Sequence, residues 1–139
     1  MPLGRRTSKD VEERIAADRE LAAAYRDRLA AATAAEDALR SAQRESRPAA
    51  ELTELSLGFD RALRAALLAA EAAERVAIGP AGYEPADPRA DTARRRAEIA
   101  RRKAKARSEV RPWTDEVDRL RTARETHLLS FRAARGAVA

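Results

Sequence analysis

The 139-residue chain has no cysteine, one histidine, one tryptophan, two tyrosines and two phenylalanines. Without thiols there is no disulfide framework and no cysteine chemistry, and a reducing compartment is merely permitted. A single histidine cannot supply a zinc set or the paired Glu-x-x-His motifs of a di-iron bundle. None of the five glycines forms a phosphate loop or a dinucleotide fingerprint. The longest apolar run, Ala65 to Ala70, spans six residues, far short of the ~20 a membrane-crossing helix needs. The opening MPLGRRTSKD lacks the apolar stretch of a secretory signal, and Pro2 excludes the Met-Gly start of myristoylation. From these absences we expect no cofactor, no metal, no membrane contact, no small-molecule substrate and no enzymatic activity.

Large apolar side chains are scarce as well. The composition is 45% hydrophobic, but 35 of those residues are alanine and only 27 are larger. Combined with a high net charge, such poverty would mark disorder. The net charge is only +5, and Ala, Glu, Lys, Leu and Arg account for 90 residues. That composition belongs to long helices meeting along narrow seams, not to sheets or deep cores. We therefore expect an all-α fold: a single elongated domain over residues 1–139, built as a hairpin or bundle of three to four long Ala-rich helices with coiled-coil-like seams. Arginine (25) outnumbers lysine (3), the mark of GC-rich coding in a bacterium, phage or plasmid. The expected location is the cytoplasm or a phage particle.

Thr7, Ser8 and Asp10 are candidate caps for a first helix over about 8–46, free of Pro and Gly. Its seam reads 11, 15, 18, 22, 25, 29, 32, 36, 39, with Asp18 and Glu36 as polar interruptions. Steps of four and three average 3.5, the heptad signature. Such a helix would be about 57 Å long. After a break near Ser46, Arg47 and Pro48, a second helix covers about 48–78. It carries Leu52, Leu55, Phe59, Leu63, Ala66, Leu67 and Ala70 on one face, and Leu57 and Leu68 on another. Two apolar faces predict a sandwiched, central helix, with Gly58 a weak point. A Gly/Pro-rich loop over about 79–90 contains Tyr83, which either tucks over the bundle end or faces a partner. A third helix follows over about 91–111. Pro112 kinks the chain or separates this helix from a fourth over about 114–135, whose Trp113, Val117, Leu120, Leu128 and Phe131 share a face.

Charge is not spread evenly. Between Arg89 and Arg111 lie ten basic and three acidic residues, so this segment holds +7 and the rest of the chain is slightly acidic. Clustering of this kind is the footprint of phosphate binding, against the plain alternative of a solvated face in an arginine-rich chain. Arg94, Arg101 and Lys105 line one strip opposite Ile99, Ala106 and Val110, and we take Arg94, Arg95, Arg101, Arg102, Lys103, Lys105 and Arg107 as contacts to nucleic acid or an acidic partner. Nothing present reads bases, so nucleic-acid binding would be independent of sequence. Candidate seam or partner contacts are Val11, Ile15, Tyr25, Leu29, Leu57, Leu68 and Trp113, the last most simply a packing anchor. His127, at the edge of a stripe, is expected to be a half-buried structural imidazole. Glu125, two residues away, points elsewhere and completes no triad. The expected function is that of a helical assembly protein, packing against copies or partners in a particle. Its alternative is a nucleic-acid-binding accessory protein.

Overall fold

The computed structural model describes residues 9–83 and 91–138. Among these residues there are five α-helices, one short 3-10 turn and no strand: α1 (Lys9–Ala23), α2 (Tyr25–Arg44), α3 (Ala49–Ile78), the turn Pro80–Tyr83, α4 (Asp91–Lys105) and α5 (Arg111–Val138). Thr7, Ser8 and loop residues 84–90 lie outside the described residues.

The long first helix expected from the heptad pattern is divided at one residue. The Ala24 amide bonds the Leu21 carbonyl, three residues back, before the ladder resumes with Arg28 to Ala24. A tightened 3-10 step of this kind shifts the axis without a proline or glycine. All nine seam positions from Val11 to Leu39 are nonetheless buried or half-buried.

Two local devices turn the chain between α2 and α3. Arg47 N–H reaches Ala42 O and Ser46 N–H reaches Gln43 O, with Ser46 in the left-handed region at φ 53°. Together these form a Schellman closure of α2. The turn is thus held by the end of α2; Pro48, at the start of α3, makes no side-chain cap. Gly58 sits inside α3 without ending it.

Helix α3 is the centre, packed against α1, α2 and α5. The main core joins Ala32 and Leu39 of α2, Phe59, Leu63, Ala66 and Ala70 of α3, and Val117 and Leu120 of α5. The second buried face of α3 is made by Ala69, Ala72 and Ala73, small side chains that let backbones approach closely. Leu57 and Leu68 remain exposed. Polar pairs then set the register. Arg75 forks onto Asp18 of α1 at 2.9 and 3.1 Å, and on the other side Arg124 and Arg121 of α5 reach Asp60 and Glu71 of α3.

Pro112 separates two helices. Residues 106–110 form turns, and α5 starts at Arg111, so the proline falls in a first turn that requires no amide donor. A second, small core of Ile78, Ala104 and Val110, with Ala77 and Ala81 against it, ties α4 and this junction to the end of α3.

Candidate functional site

Helix α4 is the candidate site, and its orientation follows from what it can bury. Ala97 and Ala104 face the protein, each 8% exposed, with Ala100 and Arg101 half-buried beside them. Ile99 is 53% exposed on the opposite side. Of the strip read from the sequence, Arg101 is half-buried while Arg94 and Lys105 stay exposed, and Ile99 on its far side is exposed as well. The cause is close packing: α4 lies on the Pro80–Tyr83 turn and the end of α3, where alanines fit and an isoleucine does not. Ala97, Ala100 and Ala104, recurring in steps of three and four, are the sequence signal for this face.

The outward side carries Arg95, Arg96, Arg102, Lys103 and Lys105, all exposed and, among the described residues, without an ion-pair partner. Arg96 was not among the expected contacts. Three expected contacts are otherwise engaged. Arg94 pairs with Asp91 of its own helix. Arg101 donates from Nε to Ala97 O. Arg107, in the turn after α4, donates to Ala77 O at 3.1 Å and Ile78 O at 2.8 Å. Those carbonyls belong to the last turn of α3, where intrahelical donors run out, so Arg107 is a cap for α3.

The seam candidates divide in the same way. Val11 is buried, and Ile15, Tyr25, Leu29 and Trp113 are half-buried. The Trp113 ring meets Tyr25 edge-on with centroids 5.1 Å apart, which makes it a packing anchor between α5 and α2. Tyr25 donates its hydroxyl to Glu116, which Arg119 also holds. Burial and the adjacent carboxylate push the Tyr25 phenol up to about 12, and the Arg119 bond holds Glu116 below its ordinary value. Leu57 and Leu68 stay open, at 43% and 55%. Leu129 of α5 is more exposed still, at 66%, and its place outside any stripe kept it out of the sequence reading.

Tyr83 is tucked inward. It is buried, donates to Asp18 Oδ2, and lies under the Arg14 guanidinium at 5.2 Å. Burial and the Asp18 carboxylate push its phenol up to about 12, while the Arg75 bond holds Asp18 down. His127 is half-buried. Its Nε2 donates to Ser56 O at 2.8 Å, and its ring meets Phe59 with centroids 4.6 Å apart.

Among the described residues no group of three or more His, Asp or Glu is placed to hold a metal ion, and no helix is long and apolar enough to cross a membrane. No protein-family model, no curated protein and no solved structure matches the chain.

Proposed function

We propose that the chain is a non-enzymatic helical assembly protein that holds one basic helix against the phosphate backbone of nucleic acid and meets a copy or partner through the Leu57–Leu68 face of α3. The observation that carries it is the outward side of α4. Five basic side chains stand there without an ion-pair partner among the described residues, on a helix anchored through two alanines. Arginine and lysine left unpaired by their own protein release counterions when they meet phosphates. No base-reading element accompanies them, so contact is with backbone alone.

The expectation that seams join copies narrows to fewer residues. Val11, Ile15, Tyr25, Leu29 and Trp113 are already covered within the chain, leaving Leu57 and Leu68 for supercoil-like packing against a neighbour. This supports keeping the accessory reading, in which a single copy coats nucleic acid, as the alternative.

A mobility assay with unrelated duplexes over a salt series tests the proposal. Four or five phosphate contacts give a slope of log affinity against log salt of about −4, equal for all duplexes. The double variant Arg95→Glu/Arg102→Glu should bind at least ~10-fold more weakly with unchanged helix content. Tight binding that survives high salt, or binding indifferent to that variant, overturns it. Sedimentation separates the two readings: concentration-dependent association abolished by Leu68→Asp supports assembly, and a monomer that shifts only with nucleic acid supports the accessory role.

A further inference from the structure

The bundle has a cavity of about 410 Å³ where the end of α2, the start of α3 and the end of α5 meet. It exists because Ala49, Thr53 and Ala134 are too small to fill the space between three helices. Leu39, Leu52 and Phe131 supply apolar walls. The volume falls within the range of small-molecule sites, about 300–1,000 Å³.

Polar chemistry converges there as well. His127 and Ser56 are both lining residues. Because Ser56 O is a carbonyl and only accepts, His127 Nε2 must carry the proton that joins them at 2.8 Å. In the neutral imidazole the lone pair then sits on Nδ1, and no described group donates to it. The imidazole has two aromatic neighbours, Phe59 at 4.6 Å and Phe131 at 6.4 Å with planes 28° apart. Among the described residues no charged side chain lines the cavity, so an ionic ligand would lose hydration there without a counter-charge from them.

We propose that this cavity binds a small neutral molecule of one or two aromatic rings that donates one hydrogen bond to His127 Nδ1. The flat apolar body lies against Leu39, Leu52 and Phe131, and the donor gives direction to otherwise non-directional burial. This site is independent of the basic helix and of its reading.

The chain supplies its own reporters, one histidine and one tryptophan. Naphthol, titrated into the full chain, should shift the imidazole resonances of His127 saturably and leave the fluorescence of Trp113, packed edge-on against Tyr25, unchanged. Its methyl ether, identical but without a donor, should bind about 10-fold more weakly, the order of one lost hydrogen bond. Ala134→Leu fills the space at an exposed position and should abolish binding while the fold is retained. His127→Phe should equalise naphthol and its ether. Equal binding of the two by the unaltered chain overturns the proposal, as does binding undiminished by Ala134→Leu. So do imidazole resonances that move on dilution alone, which would place a second copy of the chain in the cavity.

Discussion

Ser46 closes α2 at φ 53°, where the Cβ of any L-residue crowds the following carbonyl and glycine does not. Ser46→Gly should therefore raise stability by about 0.5–1 kcal/mol in denaturant unfolding. Gly79 is the converse. At φ 90° and ψ −162° it ends α3 in a region open essentially to glycine alone. No atom lies within 4 Å of a Cβ placed there, so Gly79→Ala should cost about 1–3 kcal/mol through backbone strain and not through a clash. The two tyrosines make a prediction for alkaline pH. Each phenol is pushed up from 10.0 to about 12. Between those values the unfolded chain has lost protons that the folded chain keeps, so stability falls with rising pH. The contribution is whole below pH 10 and gone above about 12. Spectrophotometric titration should show little phenolate until helix content also drops; a full transition centred at 10 with the helices intact would contradict it. Asp18 and Glu116 act at the other end, held below their ordinary values by Arg75 and Arg119. Their contribution is present at neutral pH and lost on acidification through the lowered value.

Helix α4 shows how far a pattern of residue types carries. Its existence and its charge were legible, because few competing patterns share those residues; whether Pro112 kinks the helix or ends it was not. Nor was the rotation of α4. Ile99 is the larger apolar side chain, yet Ala97 and Ala104 are the ones buried, because small side chains allow closer approach. Arg107 belongs to the same lesson. Counted with the basic cluster, it instead satisfies the last carbonyls of α3. Arg107→Ala should lower stability by about 1 kcal/mol. Arg102→Ala, by contrast, should change stability by less than about 0.5 kcal/mol and still weaken nucleic-acid binding. Thermal melting paired with the mobility assay distinguishes them; equal effects on melting would remove the capping role.

The whole molecule depends on few large side chains. Leu120, 1% exposed, lies where α2, α3 and α5 share one core. Leu120→Ala should cost about 2–5 kcal/mol, a large part of the about 5–15 kcal/mol a domain usually has. Leu129→Ala, at a side chain 66% exposed, should stay within about 0.5 kcal/mol. Urea unfolding of the two variants measures the contrast, and a comparable loss from both would mean that Leu129 is covered in solution.

Helix type and the one concentrated positive charge could be read from the chain itself, whereas the central place of α3 was expected from a Leu57–Leu68 face that stays exposed. The first two rest on local propensity, on periodicity and on counting, which need no knowledge of what lies opposite. Which seam residues are used up internally, which way α4 faces, that Arg107 and Tyr83 turn inward and that Leu57 and Leu68 do not, were decided by tertiary packing. So was the cavity beside His127. Each of these depends on how closely two helices approach, and that distance is set by alanines contributed from distant parts of the chain.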